Sequence, residues 1–142
     1  MIYNFLFSSE PRDTKSSVLL LIARIIFGSL LLYHGIQKLG SFSELSSSFP
    51  DPLGIGNQLS LSLVIFGELV CSLGFIFGLL YRLTMIPMIF TMGIAFFVFH
   101  RQDPFVIKEL SFNYLVVYLI MYITGPGKYT IDRFLFLKKK SK

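Results

Sequence analysis

Ionisable residues interrupt the long apolar stretches of this sequence, and their positions indicate where chemistry could occur. Arg24, His34 and Lys38 fall in the first stretch, Glu68 in the middle of the second, and His100 at the end of the third. A charge at the centre of a bilayer costs at least a few kcal/mol, so such residues usually face a bundle interior or a wet cavity. They are therefore candidates for proton exchange or ligand binding.

A set of polar residues is expected at one end of the predicted helices, within about two helical turns of the same interface. The set comprises His34, Lys38, His100, Asp103, Glu109 and Asn113. Imidazole exchanges protons near neutral pH, and the other groups can hydrogen-bond a polar headgroup or a quinone carbonyl. We expect all of them except Asp103 to bind a ligand. The alternative is an interfacial salt network in which long side chains reach water.

A second expected feature is a buried ion pair. Arg24 lies about 15 Å from His34 along the first helix, on the same face, and Glu68 lies about 15 Å from either end of the second helix. A carboxylate stabilises an arginine at such a depth, and Glu68 is the only candidate on that helix. We therefore predict an Arg24–Glu68 pair. It could fix helix packing, or Glu68 could handle a proton or a ligand.

The composition is that of a membrane protein. Hydrophobic residues make up 54% of the 142 residues, and charged residues only 15%, against about 25% in soluble domains. This length allows one domain and leaves no room for a separate soluble catalytic module. Cys71 is the only cysteine, so we expect no disulfide, no C-x-x-C redox pair and no metal site.

Four membrane spans are predicted, at residues 17–39, 59–80, 83–99 and 105–124, because about 20 residues cross a hydrocarbon core. Lysine and arginine are concentrated at the end that holds both termini, whereas the other end holds only Lys38, Arg101 and Lys108. The positive-inside rule then makes both termini cytoplasmic. The net charge of +5 lies mostly in the tail at residues 125–142, and it favours anionic lipid headgroups rather than nucleic acid as a partner.

Two regular patterns indicate helix packing. Gly67, Cys71, Gly74 and Gly78 form a stripe of small residues along the second span, and such stripes allow close approach of helix backbones. Tyrosines at positions 114, 118 and 122 share one face of the fourth span. They are expected to pack with their hydroxyls satisfied, although they could also stack on an aromatic ligand.

The segment after the fourth span has a structural motif. Gly125, Pro126 and Gly127 should end the helix, because glycine accepts a left-handed conformation and proline cannot continue the hydrogen-bond ladder. Tyr129 would then lie at the interface. Asp132 would begin a short amphipathic segment on the cytoplasmic surface, followed by a lysine run that contacts lipid.

Three segments resemble the DoxX family of small membrane proteins. The first, residues 28–38, ends in Tyr-His-Gly-Ile-Gln-Lys. Residues 68–70 are similar to the family's second helix, and residues 125–132 resemble the motif after its last helix. Together, in this order and at this spacing, the segments extend the resemblance over residues 22–132. The resemblance implies a four-helix bundle in the bacterial cytoplasmic membrane.

The resemblance also implies two kinds of function. Related proteins are linked to quinone-coupled sulfur oxidation and to membrane oxidoreductase complexes, and more distant ones to cargo reception or receptor assembly. We expect a redox-linked membrane subunit that binds a quinone-like or amphipathic molecule in its polar pocket. The sequence has no visible electron carrier, so electrons would come from a partner protein.

The alternative is a non-enzymatic module that binds or assembles a partner membrane protein or a lipid. Haem ligation by His34 and His100 is not favoured, because polar residues surround both histidines. Secondary transport is also less favoured, since the sequence has no inverted repeat. Whether the protein is an enzyme and whether it forms a homo-oligomer stay open.

Overall fold

A computed structural model describes residues 13–137, with the side chains of residues 13–135. Four of its helices are long and apolar enough to cross a membrane: α1 (Thr14–Gly40), α3 (Asn57–Phe77), α4 (Tyr81–Phe99) and α5 (Phe105–Thr124). Two short helices are α2 (Phe42–Leu45) and α6 (Ile131–Leu137). The predicted all-α fold with four membrane helices is confirmed. The lysine run after residue 137 lies outside the described residues.

The ends of the helices are within three residues of the predicted spans and have local causes. The Asp13 side chain accepts a hydrogen bond from Ser16 N at 3.0 Å and begins α1. The Ser16 hydroxyl and then the Ser16 N–H hold the pKa of Asp13 below its usual value. Left-handed backbone at Gly78 and Leu80 makes the tight turn between α3 and α4, and Gly125 ends α5 with a φ of 81°.

The helices form an antiparallel ring around an aromatic and methionine core. α1 packs against α3, α3 against α4, and α4 against α5. The Tyr118 hydroxyl on α5 donates to Phe27 O on α1, which closes the ring. Phe75 packs edge-on against Tyr118 and stacks on Tyr81. This confirms the expected packing role of Tyr118.

The bundle has two ends, named here by one residue each. The Gly125 end holds residue 13, the α3–α4 turn and α6, because Lys128 N donates to Ser17 Oγ and Asp132 N donates to Gly78 O. The His100 end holds the α1–α3 connection and the α4–α5 turn. α6 presents Phe134 and Leu135 outward while Asp132 is buried, as in the expected amphipathic segment.

Candidate functional site

Arg24 is fully buried at the Gly125 end, where it binds backbone carbonyls. Its Nε donates to Phe75 O at 3.1 Å and its Nη2 to Ile76 O at 2.6 Å. Nη1 donates to Pro126 O and Tyr129 O. The last carbonyls of a helix lack partners in the helix and attract a cation. Arg24 therefore ties α1 to the end of α3 and to the segment after α5.

The predicted Arg24–Glu68 ion pair is therefore wrong. The physical reason is that α3 ends close to Arg24, so that the carbonyls of Phe75 and Ile76 accept hydrogen bonds from the guanidinium. The carboxylate whose charge acts on Arg24 is that of Asp132 rather than Glu68. Glu68 instead pairs with Lys38 from the same face of α1. The long lysine side chain reaches along α1 to a carboxylate that lies deeper in the bundle.

The terminal motif completes the Gly125 end. The Asp132 carboxylate accepts hydrogen bonds from Leu80 N at 2.9 Å and Tyr81 N at 3.0 Å, which caps α4. Gly127 has a φ of 80°, and a Cβ there would lie 3.2 Å from Ser17 Cα. Gly125, Pro126 and Gly127 are buried, whereas the Tyr129 side chain is partly exposed. These contacts give the motif a structural part in the fold.

The Lys38–Glu68 pair is the central polar feature of the other half of the bundle. Lys38 Nζ donates to Glu68 Oε2 at 2.6 Å. The Glu68 side chain is 6% exposed and that of Lys38 is 26% exposed. Pairing offsets part of the cost of placing each charge in an apolar setting, so the loss of one partner would leave the other uncompensated. It leaves N–H groups of Lys38 and the second oxygen of Glu68 for a further partner.

Local backbone geometry positions Glu68. Residues Phe66–Val70 form a π-helical turn inside α3, and Glu68 lies at its centre. Gly35 on α1 packs directly on this turn, since a Cβ at Gly35 would lie 2.8 Å from Leu69 N and 2.9 Å from Glu68 C. Such turns are rare in proteins, and those that occur often lie at functional sites. The close approach brings Glu68 next to the face of α1 that carries Lys38.

A cavity of about 300 Å³ lies beside this pair. Its polar lining comes from Lys38, Glu68, His100, Ser60 and Thr91, and the rest is apolar side chain from α3, α4 and the α1–α3 connection. Small-molecule sites share this combination of an apolar wall with a few polar groups at one place. The structure thus brings together two of the five predicted ligand-binding residues, and it adds Glu68.

His100 reaches the cavity from the end of α4. A second π-helical turn, Ala95–Phe99, precedes it, and His100 N donates to Ala95 O. His100 Nδ1 lies 2.7 Å from Asp103 Oδ2. This contact holds the ring from one side and leaves Nε2 for another partner. Asp103 is therefore a positioning group for a cavity-lining histidine.

The other three predicted ligand-binding residues do not line this cavity. His34 packs edge-on against Tyr114, and it lies close enough to Glu68 for their charges to interact. Glu109 and Asn113 lie on the exposed side of α5. The buried face of α5 carries Ser111, Tyr114, Leu115, Tyr118 and Met121. Positions 109 and 113 do not lie on that face, so their side chains point away from the bundle interior.

Sequence reasoning missed the roof of the cavity. Phe49, Pro50, Pro52, Leu53 and Ile55 of the α1–α3 connection line it. Asp51 holds this segment, because its carboxylate accepts hydrogen bonds from Ile55 N, Gly56 N and the Ser60 hydroxyl. The Ser60 hydroxyl and the Gly56 N–H hold the pKa of Asp51 below its usual value. An aspartate followed by two nearby glycines is the signal that could have indicated this turn.

The DoxX family profile matches residues 19–101, more than half of the chain. The chain belongs to the DoxX family. The matched segment contains Lys38, Glu68 and His100, and the resemblance inferred from the sequence is confirmed.

Two relatives of this DoxX protein have similar lengths. The inner membrane protein YqjF of Escherichia coli (strain K12) is 32% identical over 122 residues, which are 81% of this chain and 90% of that protein. An uncharacterized protein of Haemophilus influenzae (strain ATCC 51907 / DSM 11121 / KW20 / Rd) is 25% identical over 125 residues, 82% of this chain and 83% of its own. No solved structure matches the chain significantly. The protein is thus a DoxX-family protein of the lipid bilayer.

Proposed function

We propose that this DoxX protein binds a quinone-like amphipathic molecule in the cavity beside Lys38 and Glu68, as a redox-linked membrane subunit. The observation that carries the proposal is the cavity itself: an apolar space of about 300 Å³ with a charge pair at one place on its wall. A volume of this size is at the lower end of small-molecule sites and suits one aromatic ring.

The charge pair suits both redox forms of such a ring. An N–H of Lys38 can donate to a quinone carbonyl, and the second carboxylate oxygen of Glu68 can accept from a quinol hydroxyl. The two groups are already joined at 2.6 Å, so a ligand would meet a neutral pair rather than an isolated charge. His100 Nε2 offers a further hydrogen bond, since its Nδ1 faces Asp103.

The proposal assigns the electrons to a partner protein. Among residues 13–137, no group of three or more histidine, cysteine, aspartate or glutamate side chains could hold a metal ion. Cys71 is the only cysteine of the chain and is buried in the core. The subunit would therefore bind and orient the ring while a partner oxidises or reduces it.

The proposal places the protein in a bacterial cytoplasmic membrane with the Gly125 end in the cytoplasm. The relative from Escherichia coli carries the name inner membrane protein. The Gly125 end of the bundle holds the basic residues Lys15, Arg82, Lys128 and Arg133. Short cytoplasmic loops carry the excess of lysine and arginine, which makes this end the cytoplasmic one. The cavity then opens in the outer half of the bilayer.

Titration of purified protein in lipid nanodiscs with a short-tailed ubiquinone analogue tests the binding function. We expect saturable binding to the wild type and a loss of about tenfold or more in Glu68→Gln and Lys38→Met, since each change removes one member of a charged hydrogen-bonded pair. Glu109→Gln is the matched control, because Glu109 is exposed on α5, and we expect wild-type affinity.

Two outcomes would count against the proposal. Absence of saturable binding would exclude quinone as the ligand. An equal loss of affinity in Glu68→Gln and Glu109→Gln would exclude the cavity as the binding site. Co-purification from native membranes tests the redox link. A stable partner with a redox cofactor supports it, whereas a partner without one favours the assembly function.

A further inference from the structure

The wall of the cavity between α3 and α4 is also part of the outer surface of the bundle. Leu63 on α3 lines the cavity and is 49% exposed, and Phe90 and Phe99 on α4 line it and are 58% and 48% exposed. Because α3 and α4 cross the membrane, exposure along their length means contact with acyl chains. The same side chains therefore face the cavity on one side and lipid on the other.

The roof at the His100 end is apolar as well. Pro50, Pro52, Leu53 and Ile55 contribute to it, and Asp51 fixes their backbone through three hydrogen bonds. A polar solute that approached from water through this segment would meet mainly apolar side chains. A lipid-soluble molecule that came from the bilayer would contact apolar surface along its whole route to the cavity.

The depth of the lining residues fits a ligand that lies within the bilayer. Phe90 is near the middle of α4, about 14 Å from either end at 1.5 Å per residue. His100 follows the last residue of the same helix. The cavity wall thus extends from the interface to the middle of the membrane, along the half of the bilayer that faces the His100 end.

From this arrangement we infer that the cavity is a lateral entry site, which takes its ligand from the leaflet at the His100 end through a window between α3 and α4. The window is framed by Leu63, Phe90 and Phe99. The ligand class is a lipid with a polar ring and a long apolar tail: the ring binds at Lys38 and Glu68, and the tail stays in the window in contact with acyl chains. The assignment of the ring rests on the proposed function.

The first test asks whether the window faces lipid, and it needs no ligand. The chain has no tryptophan, so Leu63→Trp introduces the only indole, which can be excited selectively over the seven tyrosines. Leu30→Trp places one on an exposed position of α1 as a lipid-facing reference. In nanodiscs made with brominated phospholipids, we expect quenching of Leu63→Trp to within about twofold of the Leu30→Trp value, given equal contact with acyl chains. A Leu63→Trp signal that brominated lipid does not quench would overturn the window.

The second test asks whether the tail uses the window. Ubiquinone analogues with a ten-carbon tail and with no tail are titrated into the wild type, Leu63→Trp and Leu30→Trp. The bulkier indole should weaken the tailed analogue about tenfold by overpacking the window. Because Leu63 also lines the cavity, the tail-less analogue should lose affinity too, but by a clearly smaller factor than the tailed one, and Leu30→Trp should leave both unchanged.

The outcomes separate this inference from the function on which it rests. If both analogues bind the wild type, and Leu63→Trp weakens both equally or weakens neither, lateral entry is wrong while quinone binding stands. If neither analogue binds the wild type, the proposed function is wrong and the ligand assignment falls with it. Tail-dependent weakening at Leu63 alone, together with quenching by lipid, supports the window.

Discussion

Lys38 Nζ lies 2.6 Å from Glu68 Oε2, so one charged hydrogen bond joins α1 to the π-helical turn of α3. Removal of either partner leaves a charge in an apolar setting. We expect Lys38→Met and Glu68→Gln each to lower the free energy of unfolding by about 1–3 kcal/mol, below the usual range for buried pairs because Lys38 is partly exposed. The double variant should lose less unfolding free energy than the sum of the two single losses. Thermal unfolding in mild detergent measures this coupling, and simple additivity would argue against a paired contact.

Gly35 gives a second prediction, because its hydrogen faces the backbone of α3. Gly35→Ala places a Cβ 2.8 Å from Leu69 N, so α1 and α3 must move apart, at a cost of about 1–3 kcal/mol in unfolding free energy. Gly93→Ala on α4 is the matched control, since no atom lies within 4 Å of its Cβ. We expect it to be neutral or slightly stabilising. Equal unfolding temperatures for the two variants would contradict the close approach of α1 and α3.

Arg24 gives a third prediction, at the opposite end of the bundle. Arg24→Lys keeps the charge but loses the fork that donates to carbonyls of α3 and of the segment after α5. We expect a loss of about 2–4 kcal/mol in unfolding free energy, since several buried carbonyls lose a charged donor. Quinone affinity of the protein that still folds should stay within about twofold, because the cavity is elsewhere. Arg101→Lys, at an exposed position, is the control. A selective loss of quinone binding in folded Arg24→Lys protein would contradict the separation of the two ends.

The hydrogen bonds of Asp51 make the cavity roof sensitive to acid. Its pKa is lowered from the usual 3.8, first by the Ser60 hydroxyl and then by the Gly56 N–H, so the ionised form is the one that stabilises the fold. This contribution is fully present above the unfolded value of 3.8, and it is lost as the pH falls through the lower folded value. The difference in unfolding temperature between wild type and Asp51→Asn should therefore be constant at neutral and mildly acidic pH and shrink below about pH 4. A gap that narrows near pH 6 instead would point to a different group.

Much of the fold could be predicted from the sequence because the membrane imposes simple rules. Apolar length placed the four helices, and Gly125 ended the last one as expected. The partner of Glu68 could not be predicted in the same way. Helix geometry compares the depth of Cα atoms, whereas Lys38 reaches Glu68 with its flexible side chain, and the π-helical turn alters the register of α3 around Glu68.

The candidate site was predicted in part for similar reasons. Lys38 and His100 were expected because each lies at a helix end next to the same interface, and both line the cavity. Glu109 and Asn113 met the same criterion of depth but lie on the wrong side of α5, which the tyrosine face could have indicated. The roof around Asp51 depends on turn hydrogen bonds within an irregular connection, and no periodic pattern reports them.

Photoaffinity labelling can locate the bound quinone on the protein itself. A photoreactive quinone is bound to the protein in nanodiscs, and the crosslinked residues are mapped by mass spectrometry with and without excess unlabelled quinone. We expect labels on the cavity segments around Leu63 and Phe90, which the competitor suppresses and Glu68→Gln abolishes. Labels spread evenly over lipid-facing residues such as Ile25 and Ile120, unchanged by competitor and by Glu68→Gln, would contradict a binding site beside the Lys38–Glu68 pair.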